Sequence, residues 1–397
     1  MKRFGLLDYL TIVLICSAGI LLFQGFLRPD PYYLQKGLVA RALLWGFRIG
    51  IPAVTIAAVL IYIGIRRGKI PAAGVALVGL SALFAFLIGY PPAQYFYERS
   101  YVSQIEKFHP YLQLKPHDLP AEIPAERFLV MCLGGSTTEF SDPEGGGWPG
   151  RLQKLLPQSV NGRPLKVVNM GRQWYTTQHT LINYELNLRQ AKPDVIVLMQ
   201  SVNDMLANAD FSYISHESFR GDYGHFYGPV NRIIDRKSLI GFLGDMIGGL
   251  RNYSPREIVI TKDFPGLKAY ERNLRTMLDF AKLDGTKIVF VSEPYLFKEQ
   301  MLPEEQASLV LTNYEGVGAK KQWSPATGKY GMDAYNGKMR QLAQEASMPF
   351  IDLEAAIPKT LEYFYDDVHH RVPTFDLVAA EIAKGLLQSG AVPGTNH

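Results

Sequence analysis

From Leu6 to Leu27 the chain is apolar almost without interruption, and Asp8 is its only charged residue. Twenty-two helical residues at about 1.5 Å rise span roughly 33 Å, enough for the hydrocarbon core of a bilayer. A second run extends from Leu43 to Ile65, with Arg48 near its start, where a long stem carries the charge to the interface. A third covers Ile70 to Tyr90. Runs of this length without amphipathic alternation do not fit a water-soluble core. They predict transmembrane helices at about 6–27, 43–65 and 70–90, within a membrane unit spanning residues 1–97. The first run is too long for a cleaved signal, no small-residue site closes it before Arg28, and Ile15 precedes Cys16 where a lipoprotein needs a small residue. It reads as a signal anchor.

Charge is divided unevenly. Residues 1–97 carry nine Lys/Arg against Asp8 and Asp30, a net +7, which leaves −3 on the remaining 300. Nucleic-acid binding needs a basic face on the folded domain, so no nucleic-acid partner is expected. Cys16 and Cys132 supply no disulfide framework and no Cys-rich metal site, and His179, His216 and His225 are scattered. Neither metal nor cofactor is expected. Lys2 and Arg3 precede the first run, while Arg66, Arg67 and Lys69 crowd the loop between the second and third. The positive-inside rule then puts the N-terminus in the cytoplasm and everything after Tyr90 in the periplasm or outside the cell. Arg28, Lys36 and Arg41 in the first outer loop run against that orientation. Tyr95, Phe96, Tyr97 and Tyr101 read as an interfacial aromatic belt. Small residues in the third run (Ala72, Ala73, Gly74, Gly79, Ser81, Ala82) suit helix–helix contact, within the chain or with a membrane partner.

Residues 98–126 read as a linker, and 127–390 as one α/β domain of parallel βαβ units. Strands are predicted at Phe128–Leu133, Lys166–Asn169 (after the Asn161-Gly162 turn), Asp194–Gln200, Lys287–Ser292 and Phe350–Leu353. Helices are predicted at Trp148–Leu156, Thr180–Arg189, Tyr270–Leu283, Tyr335–Ala346 and Leu377–Leu387. Residues 205–265 break this rhythm and read as an insertion. Its aromatics, Phe211, Tyr213, Phe219, Tyr223, Phe226 and Tyr227, suit sugar stacking or a packed lid. Leu239, Phe242, Leu243, Met246, Ile247 and Leu250 recur at helical spacing, as expected for a helix packed on the domain, with a membrane-facing or substrate-facing helix as the alternative.

In an open parallel sheet, chemistry sits at the carboxyl ends of the strands. The first strand ends in Gly134-Gly135-Ser136-Thr137-Thr138-Glu139, a sharp turn that exposes a serine at a helix start. The second ends in Asn169-Met170-Gly171, and the third in Ser201-Val202-Asn203-Asp204. Near the C-terminus stands Asp366-Asp367-Val368-His369-His370, where an Asp three residues before a His can bond its far ring nitrogen. Asp367 with His370 repeats that spacing and is the competing pair.

These four blocks, in this order, resemble the SGNH/GDSL hydrolase superfamily, in the subgroup whose first block reads Gly-Gly-Ser-Thr-Thr. The resemblance runs from Phe128 to about Leu387 and includes Phe350-Ile351-Asp352-Leu353 just before the last block. It implies a three-layer α/β/α, flavodoxin-like parallel sheet behind three transmembrane helices. It also implies Ser136 as nucleophile, His369 as base and Asp366 as its orienting carboxylate, with an oxyanion hole from Ser136 N–H, Gly171 N–H and the Asn203 amide. Two departures stand out. Ser201 replaces a glycine usual two residues before the Asn, which is tolerable if its backbone angle is ordinary, and no glycine follows the histidine between Arg371 and Asp376. The implied activity is an ester hydrolase acting on acyl groups of lipids or envelope glycans outside the cytoplasm. An O-acyltransferase of an envelope or exported polysaccharide differs only in its acceptor. A non-catalytic membrane or glycan-binding partner is the reading from another class.

Overall fold

The computed structural model describes residues 4–27, 38–109, 112–115, 126–143, 146–207, 228–230, 238–250, 257–310 and 321–394. They form two units, Met1–Gln104 with Ile233–Pro255, and Ile105–Arg232 with Arg256–His397. In the first, α1 (Leu6–Gln24) and α2 (Leu38–Arg66) pack as an antiparallel hairpin. Polar contacts tie both ends. Asp8, buried near the start of α1, accepts from Tyr62 Oη at 2.8 Å and pairs with the Arg66 guanidinium. At the other end Arg48 Nε and Nη2 donate to the carbonyls of Phe26 and Leu27, at 3.1 and 3.2 Å. Arg48 therefore satisfies carbonyls that a helix C-terminus leaves open. Between them the helices touch at Gly19, where an added Cβ would lie 2.2 Å from Thr55 Oγ1.

The third helix, α3 (Ala72–Ile105), runs fifteen residues past the expected end at Tyr90 and into the expected linker. Pro91 and Pro92 do not stop it, and hydrogen bonds one turn apart carry it on: Tyr90 to Gln94, Gln94 to Glu98 and Tyr97 to Tyr101. At 34 residues it is about 51 Å long, more than a bilayer core. The small residues expected to make helix contacts are not buried, and α3 buries none of its residues. Apolar helices gain little hydrophobic free energy from each other in lipid, so small residues permit association without driving it. All three helices are long and apolar enough to cross a membrane.

The second unit holds a sheet whose elements are β1 (Phe128–Gly134), α4 (Ser136–Glu139), α5 (Gly147–Leu155), β2 (Ser159–Val160), β3 (Arg163–Asn169), α6 (Thr177–Asn183), β4 (Val195–Met199) and α7 (Val202–Ala207). The helix α8 (Leu239–Leu250) belongs to the first unit. There follow β5 (Glu257–Val259), α9 (Leu267–Asp284), β6 (Lys287–Val291), α10 (Pro303–Ser308), β7 (Lys321–Trp323), α11 (Pro325–Glu345), β8 (Phe350–Ile351), α12 (Leu353–Ala356) and α13 (Val372–Gln388). The order is β2-β3-β1-β4-β6-β8, and every pairing is parallel except β2 with β3. Asn161 and Gly162 both have positive φ, as the tight β2–β3 hairpin requires. The chain steps outward from β1 to β3 and then back across to β4. Right-handed crossovers therefore put α5 and α6 on opposite faces, giving the three-layer doubly wound fold. β1 and β4 at the centre are buried along their whole length.

Several expectations need correction. The helix expected at Thr180–Arg189 is α6 from Thr177, followed by a π-turn over Tyr184–Leu188. The helix expected from Tyr335 starts at Pro325, where Ser324 Oγ accepts Thr327 N–H at 3.0 Å. The last helix starts at Val372 rather than Leu377. β5 and β7 form a separate parallel pair that was not expected. The apolar helix of the insertion packs on the α1–α2 hairpin and belongs to the first unit rather than to the α/β domain, and the insertion's aromatics from Phe211 to Tyr227 lie outside the described residues, as do His216 and His225.

Overpacking the hairpin with Gly19→Leu should cost about 1–3 kcal/mol and lower the apparent Tm of the detergent-solubilised protein. Adding Thr55→Ala should restore part of it; unchanged melting of the single variant would contradict this contact.

Candidate active site

Four strand ends meet at the reversal in strand order. β1 passes directly into α4, so Ser136 is the first residue of a one-turn helix and its N–H has no intrahelical acceptor. Gly135 ahead of it is required by crowding: an added Cβ would lie 2.6 Å from the Asn203 amide nitrogen. Ser136 Oγ and His369 Nε2 are 2.7 Å apart, and His369 Nδ1 is 2.7 Å from Asp366 Oδ2. The other Asp366 oxygen accepts the N–H groups of Val368 and His369, at 3.0 and 2.8 Å. The carboxylate thus shapes the turn that carries the imidazole as well as orienting the ring. Phe140 and Tyr365 stack on that imidazole, with centroids 4.9 and 5.5 Å away.

Burial opposes charge on both members of this pair. It raises Asp366, but the bonds and charge of His369 outweigh it and hold the carboxyl below the ordinary value. Burial lowers His369, and Asp366 outweighs it to hold the imidazole above the ordinary value. The competing pair is not formed. His370 is buried against Phe364 and Phe375, neither ring nitrogen finds a partner among the described residues, and burial pushes it down to about 3. Asp367 Oδ2 instead accepts Val310 N–H at 2.5 Å.

Asn203 lies beside Ser136, and its Nδ2 donates to Tyr175 O at 2.9 Å, which leaves the second amide hydrogen for another acceptor. Gly171 also approaches the first block closely: an added Cβ would lie 2.6 Å from Glu139 N. Its N–H, however, donates to Asn169 Oδ1 at 3.0 Å, while Asn169 Nδ2 donates to Thr138 O at 2.8 Å. Asn169 therefore clips the second block to the first. Ser201 has no positive φ, and its N–H and hydroxyl both bond, to Glu293 Oε2 (2.6 Å) and Asn336 Oδ1 (2.9 Å).

Glu293, charged but unplaced in the sequence, proves to be the buried keystone of this end of the sheet. Its Oε1 accepts Thr137 Oγ1 at 2.7 Å, and its Oε2 accepts the N–H groups of Ser201 and Val202, at 2.6 and 2.8 Å. One carboxyl thus joins the residue after Ser136 to the turn before Asn203. Burial raises its pKa against those hydrogen bonds. Asp204 similarly accepts Thr177 N–H at the start of α6 (2.9 Å). A charged residue ending an apolar strand is the only sequence signal for Glu293.

A family model for GDSL-like lipases and acylhydrolases matches residues 132–371. The chain belongs to that family, and its α/β domain is a serine ester hydrolase of the SGNH type. No curated protein sequence matches it. Among solved structures it is similar to an acetylxylan esterase from Geobacillus stearothermophilus, at 18% identity over 65% of this chain and 94% of that one, TM-score 0.38. It is also similar to a putative acylhydrolase from Bacteroides fragilis, at 15% identity over 68% and 92%, TM-score 0.39.

Two outcomes are expected. Hydrolysis should fall as pH drops through the His369 pKa, because imidazolium cannot accept the serine proton. The acid limb of kcat/KM should lie above the ordinary histidine value of 6.5, and a limb below it would contradict the Asp366 contact. Glu293→Ala leaves three buried donors unpaired at about 1–3 kcal/mol each, which urea unfolding should register as a lowered midpoint. Glu293→Gln should lose less.

Proposed function

We propose that this chain is a membrane-anchored serine esterase that removes ester-linked acyl groups from lipids or envelope glycans on the non-cytoplasmic side. Ser136 Oγ attacks the ester carbon as its proton passes to His369 Nε2, and the carbonyl oxygen becomes an oxyanion. Ser136 N–H and the spare Asn203 amide hydrogen meet that charge, with Gly171 N–H as third donor, shared with Asn169 Oδ1. Collapse breaks the ester C–O bond, and the departing alcohol takes the proton from His369. Water then repeats the sequence on the acyl-serine and releases a carboxylic acid. The observation that carries this reading is the continuous hydrogen-bonded line Ser136–His369–Asp366. The non-cytoplasmic side is inferred from Arg66, Arg67 and Lys69 lying between the second and third apolar helices.

Ser136→Ala or His369→Ala should reduce p-nitrophenyl acetate hydrolysis by about 10⁴-fold or more, and Asn203→Ala by about 10²–10³-fold. Full rates in Ser136→Ala would refute the nucleophile. Running the reaction with a saccharide acceptor separates the two acyl fates: acetate released to water supports the esterase, and acetylated sugar replaces it with the transferase. In cells, Ser136→Ala should change the ester-linked acyl groups of one envelope lipid or glycan at unchanged protein level. An unaltered acyl profile would remove the envelope substrate.

A further inference from the structure

The insertion that interrupts the hydrolase domain does not stay with it. The chain passes to the membrane unit at Ile233 and returns at Arg256, and between them lies α8. Its sequence, LIGFLGDMIGGL, has one charge in twelve residues. At 1.5 Å per residue it is about 18 Å long, too short to cross a bilayer core. Ile240, Leu243, Ile247 and Leu250 recur three and four residues apart and so share one face. The C-terminal half of that stripe is covered: Leu250 is fully buried in a cluster with Phe26 and Leu44, and Ile247 packs against it with Phe47 and Ile51. The N-terminal half is bare, with Ile240 54% and Leu243 41% exposed. On the same stretches of the hairpin that supply Phe26, Leu44, Phe47 and Ile51, the side chains of Leu27, Trp45 and Ile49 are exposed.

We infer that α8 is an interfacial helix whose bare stripe is covered by acyl chains and headgroups of the outer leaflet. The inference rests on the reading of α1–α3 as membrane-spanning. Three observations select lipid as the occupant. The stripe is continuous with residues packed on the spanning hairpin. The contacts of α8 fall at one end of the membrane unit, since Phe26 and Leu44 flank the first loop while Leu239 N–H donates to Gln94 Oε1 just past Tyr90 of α3, at 2.9 Å. In the sequence, residues 232–256 around α8 carry Arg232, Arg236, Lys237, Arg251 and Arg256 against Asp235 and Asp245, a net +3 that suits an anionic lipid surface. The consequence is a hydrolase domain tied to the membrane by a second chain excursion whose helix lies in the interface, which suits a substrate presented at the membrane surface.

The test uses the full chain in nanodiscs of phospholipids brominated either high or low on the acyl chain. Tryptophan is added singly as Leu243→Trp, as Leu80→Trp in α3, or as Leu283→Trp in the hydrolase domain, and fluorescence is read against the parent protein. An interfacial helix sits about 5–10 Å into the headgroup boundary, so the signal gained at position 243 should be quenched at least about twofold more by high bromines than by low ones. Position 80 should show the reverse, and position 283 no quenching. If position 80 is quenched and 243 is not, protein covers the stripe and the interfacial helix is wrong. If neither is quenched, the membrane-spanning reading itself fails.

Discussion

Asp366 does three things with one carboxylate. One oxygen orders the backbone of Val368 and His369, and the other holds the imidazole proton on Nδ1. Nε2 is thereby left as the acceptor facing Ser136. A buried carboxyl without such partners would take a proton, and the imidazole would be free to turn. Because the bonds outweigh burial, the charge stays on Asp366 and supports the imidazolium that forms when Ser136 loses its proton. Phe140 and Tyr365, both stacked on the ring, restrict what motion is left.

The remaining polar groups hold the strand ends at the spacing this line needs. Glu293, Asn336, Ser201 and Thr137 form a buried network in which each polar group meets a partner: Asn336 Oδ1 takes Glu293 N–H at 3.0 Å, and its Nδ2 gives to Glu293 O at 2.9 Å. Such networks are expensive when incomplete and specific when complete. This one lies beneath Ser136 and Asn203, where a shift of an ångström would separate the serine from its base or the amide from the developing charge.

Much of this was legible in the sequence for physical reasons. Apolar length announced the three helices, and β-rich runs ending in polar blocks announced the order of strand ends. What was missed depends on long-range packing. Gly328 and Gly331 lower the intrinsic helix propensity at the start of α11, yet they are flat spots where Phe297 and Phe264 seat against the helix. Glu293 could not be placed because its partners, Thr137 and Ser201, lie 156 and 92 residues away. The engagement of Gly171 N–H by Asn169 depends in the same way on a side-chain rotamer that no spacing encodes.

The account stands or falls on whether the Ser136 oxygen is a nucleophile made so by its neighbours. Intact-mass and peptide analysis of the full-length protein after exposure to a fluorophosphonate reads this without any assumption about substrate. The account predicts a single phosphonyl adduct on Ser136, formed slowly or not at all in His369→Ala and absent in Ser136→Ala. An unmodified Ser136 in folded parent protein, or labelling as fast without His369, would contradict it.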